Sequence, residues 1–193
     1  MKKEELLQKL RNNTHEQYDM PDLSIRAITY PDTLKQFIEM SKTVGGKVEE
    51  MKNGEDINQL IRRLYPEAKV IASNLPQISI ATINPDTVAE AADLNGTDLA
   101  VLQGVCGVAE NGCIWIPQTM KEKAVCFISE ELVILLDKSK IVDNMHQGYQ
   151  CIEVPELGYG CWISGPSKTA DIEQSLVMGA QAARGVTVVL VNA

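Results

Sequence analysis

Short, almost uninterrupted runs of branched apolar residues constrain the fold of this chain more than any other feature. Examples are LAVL at 99–102, ELVILL at 131–136 and VTVVLV at 186–191. A strand that alternates apolar and polar residues keeps one face in water, whereas a strand that is apolar throughout must be buried on both faces. Such strands are typical of parallel sheets that helices cover on both sides.

Segments with helical spacing separate these runs. We expect further strands at 69–73, 78–83, 124–128 and 160–165, and helices at 2–12, 32–43, 55–64, 138–148 and 169–181. In the middle of the chain, two short apolar runs flank Asn111-Gly112, a dipeptide typical of tight hairpin turns. The pattern predicts an α/β fold with a mostly parallel, helix-covered sheet and a β-hairpin insertion at 105–117.

Length and charge restrict the class of protein. The 193 residues predict a single domain over 1–193, with an N-terminal helix and a loosely held arm over 1–20. The N-terminal MKKEELLQKL alternates charged residues and Leu, unlike a signal peptide, and no apolar run approaches the roughly 20 residues of a membrane span. The net charge of −8 disfavours nucleic acid and anionic membrane surfaces as main partners. We therefore expect a cytoplasmic protein.

The cysteines and histidines give no metal pattern. The five cysteines include no C-x-x-C pair, which predicts reduced, mostly buried thiols rather than a cluster or a disulfide framework. Cys106 and Cys113 could face one another across the hairpin. His15 and His146 neighbour no catalytic or metal-ligand set and are predicted to be surface residues. We expect no metal and no cofactor.

The hairpin carries the first candidate catalytic residue. If Asn111-Gly112 forms a two-residue turn, Glu110 pairs with Cys113 and Val108 pairs with Trp115. Cys106, Val108, Glu110, Cys113 and Trp115 then share one face. A carboxylate beside an indole on an apolar face would be desolvated and its pKa raised, as in a general acid or base. The alternative is a solvated Glu110 at the hairpin tip.

A second candidate stretch is WISGPSKTADIEQSL at 162–176. It predicts a strand that ends in Ser-Gly-Pro-Ser and a helix that begins near Ser167 or Thr169, with Asp171 and Glu173 in its first turn. Gly165 would let a ligand approach the backbone, and amides at a helix start bind anions. Crevices at strand carboxyl ends are where open α/β sheets bind ligands. The alternative is a well-capped strand–helix junction with no ligand. Lys121 and Lys123, in a polar loop, are further candidates for pairing with an anion.

Taken together, GVAENG and SGPSKTADIEQSLVMGAQAARGVTVVLV resemble the LUD-domain family of bacterial lactate-utilisation proteins, from about residue 65 to the C-terminus. The resemblance implies a fold similar to that of sugar-phosphate isomerases and CoA transferases. In bacteria such domains stand beside two iron–sulfur proteins in a system that oxidises lactate to pyruvate. This chain lacks cysteine clusters, so the resemblance implies the small, cluster-free component.

Two departures from the family pattern bear on activity. Asn111 stands where the family usually has Thr, and Gln181-Ala182-Ala183 stands where it usually has His-Gly-Pro. The missing His would be the most obvious proton carrier near the site. The AENG stretch is also similar to the Glu-Asn-Gly signature of CoA transferases, in which the Glu carries the acyl group.

Three functions stay open. The first is a ligand-binding or assembly component of lactate oxidation, with an anionic small molecule and iron–sulfur proteins as partners. The second is an acyl or CoA transferase-like or isomerase-like enzyme using Glu110, and the third is a structural subunit with a decayed site. Oligomer formation is left open. Besides Glu110 as catalytic residue, the predicted ligand-binding residues are Gly107, Asn111, Gly112, Ser164, Gly165, Ser167, Thr169, Asp171 and Glu173.

Overall fold

Helices and strands alternate along the chain in a computed structural model, which describes residues 2–13, 18–19, 26–118, 120–153, 159–170 and 176–192. The helices are α1 (Lys3–Asn12), α2 (Thr33–Thr43), α3 (Ile57–Leu64), α4 (Val125–Ile128) and α5 (Met145–Gln150). The strands are β1 (Lys47–Glu50), β2 (Ile71–Ala72), β3 (Leu99–Gln103), β4 (Cys106–Val108), β5 (Cys113–Pro117), β6 (Glu131–Asp137), β7 (Ile141–Val142), β8 (Gly160–Ile163), β9 (Lys168–Ala170), β10 (Leu176–Met178) and β11 (Gly185–Val191). Among the helices of the described residues, none has the length and apolar character needed to cross a membrane.

The central sheet is parallel throughout. Its five strands lie in the order β1-β11-β6-β3-β2, with the apolar strands β11, β6 and β3 inside. Neighbouring residues of these strands belong to hydrophobic clusters on opposite faces, since side chains alternate along a strand. Ile134 and Leu136, for example, contact one cluster, whereas Val133 and Leu135 contact the other. The predicted α/β fold with a mostly parallel, helix-covered sheet is confirmed.

Predicted helices on the two faces are present where their boundary residues suggested. Asp32 caps α2 by accepting a hydrogen bond from the Lys35 amide, and Asp56 caps α3 by accepting one from the Asn58 amide. Phe37 of α2 is fully buried in one cluster, and Leu60 and Ile61 of α3 are buried in the other. Helix α1 is also present, but none of its residues is buried.

A smaller mixed sheet packs on one face of the central sheet. Its order is β7-β4-β5-β8, in which β4 pairs parallel with β7 and antiparallel with β5, and β5 pairs antiparallel with β8. Gly107 makes the close packing possible. A Cβ atom there would lie 2.7 Å from Leu136 Cδ2 and 3.1 Å from Phe37 Cε2. The hairpin of β4 and β5 therefore sits directly on the core.

The hairpin exists as predicted, but its register differs. Val108 pairs with Cys113 and Cys106 with Trp115, so residues 109–112 form a four-residue loop. The two-residue turn, with Glu110 opposite Cys113 and Val108 opposite Trp115, is wrong. The cause is β7, because the amides of Ala109 and Glu110 donate to the carbonyls at 142 and 143 instead of continuing the ladder with β5.

Two short predicted strands have other conformations. Residues 78–83 form turns, and only Ile83 makes an isolated bridge, to Ala72. The Thr82 amide and hydroxyl both bond the backbone of Ile71, so this segment crosses the end of β2. Residues 125–128 form the single helical turn α4, in which the Ile128 amide donates to the Ala124 carbonyl. A short apolar run cannot distinguish a buried strand from a buried helical turn.

Two predicted helices are also wrong in large part. Residues 138–148 contain a 3₁₀ turn (Lys138–Lys140), β7 and only the start of α5. In the predicted helix 169–181, the described residues form β9 and β10, which pair antiparallel with Thr169 opposite Val177. Backbone pairing between these segments prevails over their helical spacing. Asp171 and Glu173, and the rest of 171–175, lie outside the described residues.

Candidate functional site

The two candidate motifs meet in space. Ser164 follows β8, and its hydroxyl donates a 2.7 Å hydrogen bond to the carbonyl of Asn111 in the hairpin loop. Burial raises the pKa of the thiol of Cys113, the residue that opens β5, and a hydrogen bond between the Ser164 hydroxyl and its sulfur opposes this shift. Antiparallel pairing of β5 with β8 explains the contact, because it brings the end of β8 to the start of β5. Residues fifty positions apart in sequence thus form one local structure.

Both motifs rest on the C-terminal end of α2, and each does so through a glycine. Gly112 has φ +67°, and a Cβ atom there would lie 3.2 Å from the backbone of Ser41. Gly165 has φ +65°, and its Cβ atom would lie 2.7 Å from the Val44 carbonyl oxygen. Only glycine adopts this backbone region freely and leaves room for such close approach. The hairpin loop, the segment 164–168 and residues 41–46 therefore form the candidate site.

Lys168 supplies a positive charge at this place, although it was not among the predicted ligand-binding residues. Its ammonium donates to the Val44 carbonyl and lies 3.3 Å from the position of a Cβ on Gly45. Lys121, by contrast, bonds the Val88 carbonyl and belongs to a different loop. A basic residue directly after Ser-Gly-Pro-Ser was the available signal for Lys168. The expected helix start at 167–169, which was to supply anion-binding amides, is absent, since Lys168–Ala170 is a strand.

A buried hydroxyl lies beside these groups. Ser41 is 3% exposed, and its Oγ has no hydrogen-bond partner among the described residues. An unsatisfied buried hydroxyl costs roughly 1–3 kcal/mol unless something bonds to it. Because the backbone of Ser41 contacts Gly112, this hydroxyl belongs to the same part of the molecule as the hairpin loop.

Glu110 is exposed, so the predicted desolvation beside an indole is wrong. The other four residues predicted to share one face of the hairpin do so: Cys106, Val108, Cys113 and Trp115. The observed register is shifted by two residues from the predicted one, and a shift of two leaves each side chain on the same face. Glu110 lies beyond the ladder. Its carboxylate accepts a 3.0 Å hydrogen bond from the amide of Met145, the first residue of α5. This contact places a negative charge at a helix N-terminus.

The remaining predicted residues have varied surroundings. The Ser167 amide donates to the Ala183 carbonyl, and its own carbonyl accepts from the Gly179 amide, so its backbone joins the segment to the loop before β11. Thr169 lies within β9. Gly107 is buried between the two sheets, away from the loop. His146 is exposed, as predicted, and His15 lies outside the described residues.

A cavity of about 240 Å³ lies behind the segment 164–167. Its other walls come from α4, from β6 and β11, and from Ala182 and Ala183. Leu132 and Val186 are the second residues of β6 and β11, so the cavity lies toward the amino ends of the central strands. This cavity therefore lies at the opposite end of the central sheet from the strand carboxyl ends, where a ligand crevice was expected. Ser164 does follow a strand carboxyl end, but that of β8 in the smaller sheet.

Neutral thiols line this cavity. Burial raises the pKa of the Cys126 thiol to about 11, against hydrogen bonding from the Gln118 side chain, which lowers it. Burial also raises the pKa of Cys161. All five cysteines lie in the described part of the chain and all are free. Cys106 pairs with Trp115 across the hairpin, and its thiol is in hydrogen-bonding contact with the free Cys151 thiol, so Cys106 and Cys113 are not directly opposed.

A second cavity of about 290 Å³ has unsuitable electrostatics for an anion. It lies at the amino ends of β3 and β6, and four carboxylates line it, those of Glu67, Asp98, Glu130 and Glu131. Its cation, Arg184, already forms ion pairs with Glu130 (3.0 Å) and Glu131 (3.3 Å). The uncompensated negative charge would repel an anionic ligand.

The fold and the site define an α/β protein in which a hairpin loop and a Ser-Gly-Pro-Ser segment meet at the end of a helix. A model of the LUD domain matches residues 91–191, more than half of the chain, and the chain belongs to the LUD-domain family, which is associated with lactate utilisation. The match includes both motifs and every strand from β3 onward.

The solved structures include a similar fold. The chain superimposes on the crystal structure of a DUF162 family protein from Deinococcus radiodurans with a TM-score of 0.67 and 14% sequence identity. The alignment covers 86% of this chain and 100% of the other. At this identity the comparison shows the fold alone. A comparison with curated proteins found no match.

Proposed function

We propose that this LUD-domain protein acts in lactate oxidation as a cluster-free component that binds an anionic small molecule, beside iron–sulfur partner proteins. The ligand would lie where the hairpin loop 109–112 meets the segment 164–168. The observation that carries the proposal is the hydrogen bond from Ser164 to the Asn111 carbonyl, because it joins the two family motifs in one place.

Local charge supports an anion at this place in an otherwise acidic molecule. The chain carries a net charge of −8, yet Lys168 is the charged side chain that reaches over residues 44–45. A charge-assisted hydrogen bond from an ammonium to a carboxylate is stronger than a neutral one. The Ser41 hydroxyl offers a further group that could bond a ligand.

An enzyme using Glu110 is the second candidate. Exposure makes its carboxylate reachable by a substrate. The carboxylate is, however, engaged by the Met145 amide, and it is exposed rather than enclosed by apolar side chains. This contact favours a structural or binding role for Glu110 over a catalytic one.

A pair of lysine variants tests the proposal. Calorimetric titration with lactate and pyruvate would compare wild type, Lys168→Gln and Lys121→Gln. Lys121 is a matched control because its ammonium also donates to a backbone carbonyl, that of Val88. We expect Lys168→Gln to weaken anion binding about ten- to a hundredfold, as for loss of a charged hydrogen bond, and Lys121→Gln to leave it unchanged.

A genetic test addresses the pathway and the partners. A strain lacking the gene should grow poorly on lactate and normally on another carbon source, and wild type but not Lys168→Gln should restore growth. Affinity-tagged protein isolated from lactate-grown cells should carry iron–sulfur proteins with it. Normal growth of the deletion strain on lactate would contradict the proposed pathway.

A further inference from the structure

The cavity behind the segment 164–167 is larger and more apolar than lactate requires. Its described lining includes no charged side chain. Leu132, Ile163 and Val186 supply branched apolar surface, and Cys126 and Cys161 contribute neutral thiols. A carboxylate placed inside would lose its hydration without gaining a cation, which is strongly unfavourable. The cavity therefore suits the uncharged part of a ligand.

The volume of the cavity indicates how large that part can be. The cavity measures about 240 Å³. An engineered apolar cavity of about 150 Å³ in another protein holds benzene, which has six heavy atoms. The apolar part of lactate is a single methyl group, which would leave most of the volume unfilled. A branched alkyl group or an aromatic ring would fill the volume much better.

The cation lies next to one wall of this cavity. Pro166 lines the cavity and is buried, and its Cγ atom lies 3.6 Å from the position of a Cβ on Gly45. The Lys168 ammonium lies 3.3 Å from the same point. Lys168 does not itself line the cavity, so a carboxylate beside its ammonium would lie outside the apolar walls, past Pro166.

We propose that the cavity takes the side chain of a 2-hydroxy or 2-oxo acid larger than lactate, with the carboxylate beside Lys168. This inference rests on the proposed function, because it assigns the substrate class of the same anion site. It makes the apolar side chain, rather than the carboxylate and hydroxyl that all such acids share, the source of selectivity.

Titration with a homologous series tests the inference. The probes are lactate, 2-hydroxybutyrate, 4-methyl-2-hydroxypentanoate and 3-phenyllactate, with the protein as the full chain. Each added methylene should tighten binding about fourfold while the cavity fills. Phenyllactate should bind roughly ten- to a hundredfold more tightly than lactate, as expected for burial of a ring.

A variant that fills the cavity tests whether the preference for larger acids arises there. Ala183 is 2% exposed and lines the cavity, so Ala183→Leu should fill the cavity and remove the preference for larger acids over lactate. Ala92→Leu, at an exposed alanine of a 3₁₀ turn, is the control for added apolar volume and should keep the preference. If Ala183→Leu fails to fold, Ala182→Leu on the half-buried neighbour takes its place.

Thiol protection in the wild-type protein gives a readout that needs no variant. Saturating phenyllactate should slow alkylation of Cys161, which lines the cavity, and leave alkylation of the exposed Cys151 unchanged. Equal affinities along the series, still reduced by Lys168→Gln, would overturn the inference and leave the anion site standing. Binding of no acid in the series would overturn both.

Discussion

At the scale of single residues, Gly165 sets how closely the Ser-Gly-Pro-Ser segment approaches α2. We predict that Gly165→Ala destabilises the protein by roughly 2–4 kcal/mol, because it adds strain at positive φ to a 2.7 Å contact with the Val44 carbonyl. Urea unfolding measures the change. Gly54→Ala is the matched control, since Gly54 has φ +77° and no atom within 4 Å of its Cβ position. Equal losses of stability in the two variants would mean that the close approach of Gly165 to Val44 adds nothing to the cost of the substitution.

Glu110 is the residue on which the catalytic alternative depends. We predict that Glu110→Gln changes stability by less than about 1 kcal/mol, because the amide oxygen of Gln can still accept the hydrogen bond from Met145. Ligand affinity and growth on lactate should change little. Incubation with an acyl-CoA should leave no hydroxylamine-sensitive thioester on either protein.

Two results would contradict this view of Glu110. A thioester on the wild type that is missing from Glu110→Gln would establish covalent catalysis. A 10²- to 10⁴-fold loss of turnover at unchanged stability, of the size general acid–base groups contribute, would establish a catalytic proton transfer.

At the scale of elements, a pair of tilted indole rings marks the pairing of β5 with β8. Trp115 and Trp162 lie opposite one another, with ring centroids 5.3 Å apart. Gly160 makes room for the first ring, since a Cβ atom there would overlap Trp115 Cζ2. We predict that Gly160→Ala displaces the ring and costs roughly 1–3 kcal/mol.

Near-UV circular dichroism and urea unfolding check the Gly160 variant. The aromatic signal should change, because the ring pair would be rearranged. Gly96→Ala, at a glycine with no atom within 4 Å of its Cβ position, should leave that signal intact. An unchanged aromatic spectrum in Gly160→Ala would mean that the backbone of β8 moves to accommodate the methyl group and that the Trp115 ring stays in place.

The elements also show what the sequence could and could not predict. The mostly apolar strands β3, β6 and β11 were recognisable because burial on both faces leaves few polar positions in their interiors, such as Thr187 in β11. Strands β9 and β10 were not, because their residues fit a helix locally and only the pairing between the two strands distinguishes the conformations. The hairpin register likewise depends on β7, which lies thirty residues further along the chain.

The candidate site, too, was predictable from the sequence only in part. The Ser-Gly-Pro-Ser and Glu-Asn-Gly motifs could be found from their resemblance to a family, and the Ser164–Asn111 contact shows that they adjoin. Ser41 and Val44 could not be assigned to the site, because the end of α2 enters only through tertiary packing against Gly112 and Gly165. Lys168 adjoins the motif in sequence, but its contact with Val44 depends on the same packing.

For the whole molecule, buried neutral thiols make stability depend on alkaline pH. Burial raises the pKa of Cys126 from 9.0 to about 11 and that of Cys106 to about 12. Above pH 9 the unfolded chain releases these protons while the folded protein retains them. The free energy of unfolding therefore decreases as the pH rises. The stabilisation from Cys126 is complete below pH 9 and is lost between pH 9 and about 11. For two pKa units this amounts to roughly 3 kcal/mol.

The difference between wild type and Cys126→Ala isolates this contribution from the titration of lysines and tyrosines. We expect urea unfolding at pH 7, 9, 10 and 11 to show the wild type losing stability more steeply than the variant above pH 9. At pH 7 the variant is less stable, because it lacks the packed thiol that is 1% exposed. The difference in unfolding free energy between wild type and variant should narrow as the pH rises, because only the wild type has a thiol at position 126 that resists ionisation when folded. Parallel curves from pH 7 to 11 would mean that Cys126 ionises in the folded protein as readily as in the unfolded chain, and that the cavity it lines is open to water.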